Sequence, residues 1–239
     1  MFAAISPTLG TQPFNDFFAP DTIQRHPLGE KITAVDSYWG TGSFVYIKST
    51  DAILKGSLVV VDELGQGTLL PNNANQGFSF GVAMNNMASG TFGWMQVEGT
   101  AVYKTNATVA ADTAIGIGAA GIAGTNSAGK QLLGVRNRRA ATATKTFTAT
   151  TITNSSTLVV AGGFDGAFLG MALSGTGIPA STVVAALDPD GRRIYMGSAV
   201  GTVGDKTATA SGSITLTGTY TGYGAGVLGS WPVAQGAIS

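Results

Sequence analysis

The chain has 239 residues, and only 11% of them are charged, 13 of each sign, with one histidine and no cysteine; an ordinary soluble domain is roughly 25% charged. Zero net charge removes the basic excess that nucleic-acid binders use, a hydrophobic fraction of 44% is too high for charge-rich disorder, and the absence of cysteine removes disulfides and thiolate metal sites. So few charges and no net charge favour association, which points to a protein that works assembled against neighbours.

Residues 1–30 carry Pro7, Pro13, Pro20 and Pro27, interleaved with Phe2, Phe14, Phe17 and Phe18. Proline at this spacing forbids a long helix and cannot donate within a central sheet. The phenylalanines gain about 1.5–3 kcal/mol each by leaving water. The segment therefore reads as an extended arm with apolar anchors, and two destinations stay open: its own domain or a neighbouring subunit. Its first residues lack a basic start followed by an apolar core, so no secretory signal is expected. No stretch approaches about 18 uninterrupted apolar residues, so no transmembrane helix is expected either.

From residue 31 the sequence reads as strands and turns. Ser43–Lys48 is aromatic and β-branched, Ser57–Val61 is a short apolar run closed by a turn over 62–67, and Phe78–Met84 alternates. Thr91–Lys104 is one long strand or two that meet at Gly99. Residues 105–130 are rich in alanine and glycine and give little pattern, and Gln131–Asn137 is a further strand. Threonine, alanine, serine and glycine then dominate residues 140–222, where short strands are expected over 145–153, 157–160, 167–174, 181–187, 192–196 and 213–219. Asp188-Pro189-Asp190-Gly191 supplies a turn, with glycine where positive φ is needed. The apolar end, 223–239, holds Trp231 and returns to the first module.

No window carries a helical period. The expected fold is all-β: a sandwich or barrel core over 31–139 plus 223–239, an extended arm over 1–30, and an inserted small β module over 140–222.

Motifs that would bring catalysis or cofactors fail on inspection. Gly124–Lys130, GTNSAGK, approaches a phosphate-binding loop, but Gln131 stands where a hydroxyl must hold magnesium. Gly116–Gly121 spells GxGxxG without a βαβ frame or a following acidic residue. His26, the single histidine, precedes Pro27 and reads as structural or interfacial rather than as a proton shuttle. Asp62/Glu63 and Asp188/Asp190 are the nearest carboxylate pairs, and both sit in turns, where aspartate bonds its own backbone. Arg136, Arg138 and Arg139 form the densest basic run and read as a solvated or interfacial patch. No enzyme activity, cofactor, metal or nucleic-acid partner is expected.

One further signal is the order of short phrases. HPLGEKITAVDSYWGTGSFVYIK from His26 is followed by GSLVVVDE, GVAM, GWMQVEGTA and the ending WPVAQGAIS. This order resembles the decoration, or cement, proteins of tailed-bacteriophage heads, over roughly residues 26–140 and the tail. GMALSGTGIPASTVV, 170–184, resembles a phrase of small β modules in phage virion proteins. The inserted 140–222 module departs from the simplest members.

The resemblance implies a structural virion protein, made in the host cytoplasm, that binds the outer capsid surface as a trimer and bridges neighbouring major capsid subunits. Phe2, Phe14, Phe17, Phe18, His26 and Trp231 are then the expected capsid or neighbour contacts, and the 140–222 module is an outward knob. The chain lacks the long amphipathic helix expected of a major capsid protein itself. The alternative is a tail or fibre module that binds host glycans, which requires exposed aromatics on 140–222, where Phe147, Phe164, Phe168, Tyr195 and Tyr220 are the candidates.

Overall fold

The computed structural model describes residues 3–4, 20–36, 39–106, 109–139, 144–164, 166–188, 191–220 and 222–234. The fold is all-β, and no helix occurs among the described residues. The strands are β1 (Ala3–Ala4), β2 (Lys31–Asp36), β3 (Gly40–Ser49), β4 (Leu58–Val61), β5 (Gln66–Leu69), β6 (Phe80–Ala83), β7 (Phe92–Lys104), β8 (Ala114–Ala119), β9 (Ile122–Thr125) and β10 (Gln131–Arg139). There follow β11 (Thr144–Thr151), β12 (Thr157–Val159), β13 (Ala172–Ser174), β14 (Thr182–Leu187), β15 (Arg193–Gly197), β16 (Gly212–Thr219) and β17 (Tyr223–Ala234). The chain divides into two compact units, one over residues 142–221 and the other over 2–141 with 222–239.

In the larger unit the hydrogen-bonded order is β1-β2-β3-β5-β4-β6-β7-β17-β10-β8-β9. A further antiparallel pairing of β3 with β7 closes β3, β5, β4, β6 and β7 into a ring. Strand alternation then divides the side chains. Val45 and Ile47 of β3 face the ring interior with Val59, Ala83, Met95 and Val97. Phe44 and Tyr46, one residue out of phase, pack on the opposite face with Ile32, Ala34, Phe92 and Trp94. A third apolar cluster joins Leu58, Phe80 and Val82 to Tyr103, Ile115, Leu132 and Leu228.

β7 is one strand with two partners. Residues 92–98 pair with β3, and residues 99–104 pair with β17. Gly99 sits at the change with φ +91, where a Cβ would strike the Thr41 carbonyl oxygen. Only glycine allows this close approach in that conformation. β17 in turn pairs with β10, but the register breaks: Leu133 faces Val233, and Val135 faces Leu228. Residues 229–232, Trp231 among them, therefore stand opposite Gly134 alone as a wide bulge.

The smaller unit is a closed barrel of order β11-β12-β15-β14-β13-β16. Phe147, Leu158, Val184, Ile194, Met196 and Leu216 are buried in it. β11 and β16 pair over eight rungs, which set Thr144 against Thr219, Thr146 against Thr217, Thr148 against Thr215 and Thr150 against Ser213. These hydroxyl residues alternate with the buried Phe147, Ala149 and Leu216. The threonine-rich composition is therefore the outer half of a period-two pattern.

Two local expectations differ from the structure. The stretch 105–130 contains the β8–β9 hairpin. Its signal was hidden because Gly118 and Gly124 pack backbone to backbone, where a Cβ on Gly124 would lie 2.7 Å from the Gly118 Cα. Small residues are required there, and they carry no strand signature. Of the expected strand over 167–174, only Ala172–Ser174 is strand, while Ala167, Phe168 and Leu169 are buried in an irregular turn.

Candidate functional site

Residues 20–30 lie against β3 and β7 of their own unit and form the root of the N-terminal segment. Asp21 and Phe92 exchange both backbone hydrogen bonds, each 2.9 Å. Gly29 N–H donates to the Tyr46 carbonyl at 2.8 Å, and Tyr46 N–H donates to the Glu30 carbonyl at 3.0 Å. Gly29 has φ +82, which turns the chain from the root into β2.

The side chains between these two fixings form a layered cluster. Tyr46 and Trp94 are direct cross-strand partners with rings 5.1 Å apart, edge to face, and Tyr46 lies parallel to Phe92 at 6.2 Å. His26 inserts at 5.0 Å from Tyr46 and 5.1 Å from Trp94, both edge to face. Its Nδ1 is 3.0 Å from Glu30 Oε2, and the two side chains are 7% and 10% exposed. The Tyr46 hydroxyl donates to Asp21 Oδ2 at 2.8 Å and accepts from the Arg25 backbone N–H at 3.3 Å. Arg25 Nε pairs with Asp21 Oδ1 at 2.8 Å. Burial pushes the Tyr46 phenol well above its ordinary range, and the Asp21 carboxylate adds to that. The phenol therefore stays protonated and acts as a fixed donor.

The arrangement joins hydrogen bonds, an ion pair and aromatic packing in one cluster. Its one histidine is enclosed by aromatic edges and already engaged by a carboxylate. The cluster fixes residues 20–30 against β3 and β7.

The expected contact residues fall as follows. His26 lies inside its own unit rather than on its surface. Phe2, Phe14, Phe17 and Phe18 lie outside the described residues, and Trp231 is placed only by its backbone in the β17 bulge. The structure brings Asp21, Glu30, Tyr46, Phe92 and Trp94 around His26. The sequence carries two traces of this: the His26/Glu30 spacing and the Phe92-x-Trp94 alternation.

The other motifs are turns and hairpins. GTNSAGK bridges β9 and β10 with no helix after it, and its Lys130 Nζ donates to Asn72 Oδ1 at 3.1 Å. GIGAAG is β8 and its turn. Asp62 Oδ1 accepts from the backbone of Leu64 and Gln66 at 2.9 and 2.8 Å. Asp188 accepts from Arg193 and Tyr195, both at 3.2 Å. Arg138 and Arg136 lie 2.8 and 3.8 Å from Asp112 on an exposed surface. Among the described residues no three His, Cys, Asp or Glu side chains gather as a metal site. In the barrel of residues 142–221, Phe147, Phe164, Phe168 and Tyr220 are buried and Tyr195 is half-buried.

No protein-family model, curated protein or solved structure matches this chain.

Proposed function

We propose that the chain is a non-enzymatic structural protein of a tailed-bacteriophage head. It binds the outer capsid surface and stabilises the shell by bridging neighbouring major capsid subunits. The observation that carries this reading is the root at residues 20–30. A segment rich in proline and phenylalanine is fastened at its base, residues 20–30, by Asp21, Arg25, His26, Tyr46 and Trp94, which suits a strap that must hold under load. Docking of such a strap stabilises a shell by mass action, since only the folded and docked form is bound. The order of short phrases from His26 to the C-terminal tail, similar to that of cement proteins, supports the same reading, as does the low charge.

A host-glycan module finds less support. Sugar stacking needs exposed aromatic faces, and the aromatics of residues 142–221 are mostly interior.

The test is removal of residues 1–19, which takes away β1 and leaves the root, the rest of the larger sheet and the barrel of residues 142–221 in place. Expanded heads assembled without this protein are mixed with the intact or the shortened chain and sedimented. The intact chain is expected to sediment with the heads, and the shortened chain to lose most of that binding. Equal sedimentation of both, or of neither, overturns the proposal.

A further inference from the structure

The N-terminal strand and the edge that it covers support an inference that does not depend on the head-binding reading. β1 pairs antiparallel with β2, Ala3 opposite Val35 and Ala4 opposite Ala34. It is two residues long, against six for β2. β2 is otherwise the outermost strand of the mixed sheet on that side. Its interior residues, Ile32 to Val35, carry no charge, and the only charged side chains are at its ends, Lys31 and Asp36. An edge with neither charge nor proline along its middle is a ready template for a strand from elsewhere.

The tether is long relative to the gap it closes. The next fixed point after Ala4 is Asp21, bridged to Phe92. Phe92 lies opposite Lys48 on β3, whereas Ala34 lies opposite Gly42. The two anchor points are therefore six residues apart along β3, about 20 Å, and four strand spacings apart across the sheet, about 19 Å, which together make about 28 Å. Residues 5–19 lie between the anchors, and such a length of chain can span up to roughly 50 Å. The connection is thus nearly twice as long as closure onto its own β2 requires.

We propose that β1 is an exchangeable strand: residues 3–4 of one copy pair with β2 of a second copy of this chain, Ala3 against the second copy's Val35. The contact is the same within one chain or between two, so its own energy does not decide between them. What decides is the effective concentration that a fifteen-residue connection gives its own strand, against the concentration of neighbouring edges. Dilute protein keeps β1 at home. Copies held within a tether's length of one another exchange it and become linked in series, with each root at residues 20–30 carrying the load into the next subunit.

The absence of cysteine permits a direct test. Chains carrying Ala3→Cys and Val35→Cys separately are mixed, oxidised at concentrations from micromolar to millimolar, and resolved on a denaturing gel. Ala3→Cys mixed with Leu64→Cys, which places a thiol on an exposed turn away from the edge, reports random collision. The double variant within one chain reports home pairing. Exchange predicts a mixed Ala3→Cys/Val35→Cys dimer at least tenfold above the Leu64→Cys mixture, rising with concentration, and a double variant that moves from intrachain to interchain linkage. Linkage that stays intrachain at millimolar protein overturns the proposal. So does a mixed dimer no more abundant than the collision control, or the absence of any linkage in the double variant. The assay contains no capsid, so its failure leaves the head-binding reading untouched.

Discussion

The Tyr46 hydroxyl, rooted in the aromatic face of β3, donates at 2.8 Å to the carboxylate of Asp21, twenty-five residues earlier in the chain. That bond couples the start of the root to the core. Tyr46→Phe keeps the ring and removes the bond, leaving Asp21 with Arg25 alone. A bond to a charged group contributes about 1.5–3 kcal/mol when buried; Asp21 retains some solvent access, so a loss of about 1–2 kcal/mol is expected. Urea unfolding measures it. Trypsin cleavage after Arg25 should accelerate as the root opens. Asp21→Ala combined with Tyr46→Phe should cost little more than the larger single change, because both act on one bond.

His26 and Glu30 make a different prediction, because their bond is shielded. His26→Ala leaves a void between Tyr46 and Trp94 and strips the half-buried Glu30 carboxylate of its partner. Loss of a hydrogen bond to a charged group costs about 1.5–3 kcal/mol, and the void adds to it. His26→Phe refills the void but still strands Glu30, so it should rescue only part of the loss. Adding Glu30→Leu to His26→Phe removes the stranded charge, and the double variant should recover most of the stability. Denaturant midpoints of the four proteins decide the matter. Equal losses for both single variants would mean that packing contributes little and the charge dominates.

Much of this arrangement is readable from the sequence, and what is missed has physical causes. β3, β4, β6, β7 and β10 follow from β-branched and aromatic runs bounded by glycine. The threonine pairs of β11 and β16 follow from strict alternation. The β8–β9 hairpin stays hidden because the close approach of Gly118 and Gly124 demands residues without strand preference. The root stays hidden for another reason: Asp21, Tyr46 and Trp94 are separated by long stretches of chain, and only the β3–β7 register brings them together. Propensity is local, whereas this cluster is made by pairing. His26 illustrates the difference, since the sequence leaves it structural or interfacial and the register encloses it.

Alkaline pH should unfold the larger unit. Burial raises the phenols of Tyr46, Tyr103 and Tyr223 above their ordinary value. Folded values above an unfolded value of about 10 mean that the stabilising preference is complete below pH ~10 and is lost as pH climbs toward the folded values. Lys104, lowered by burial, acts in the opposite sense: stability rises between its folded value and about 10.4. Three phenols outweigh one amine, so stability should fall above pH ~10. Tyrosinate absorbance should then rise in step with loss of the sheet signal. Tyr103→Phe should flatten this pH slope while costing stability at neutral pH, because the Tyr103 hydroxyl donates to Asn137 Oδ1 at 2.6 Å.

The ring interior contains one polar group out of keeping with its surroundings. Asn85 is fully buried, and among the described residues neither its Oδ1 nor its Nδ2 has a hydrogen-bond partner. It lies over Gly93, where a Cβ would stand 2.7 Å from Asn85 Oδ1 and 2.8 Å from Met87 Sδ. A buried amide without partners costs about 1–3 kcal/mol relative to an apolar group of the same shape. Asn85→Leu keeps the branching and the number of heavy atoms, with a larger apolar volume, and extends the apolar surface of Ile53, Met87 and Met95. The substitution should therefore raise stability by about 1 kcal/mol, less than the full penalty because the branched side chain must settle beside Met87. Gly93→Ala should act in the opposite direction, since its methyl group presses on the amide and on Met87. Thermal and urea unfolding of the two variants test the pair together. Destabilisation by Asn85→Leu would mean either that the bulkier side chain overpacks against Met87 or that an internal water satisfies the amide, and high-resolution diffraction would tell the two apart.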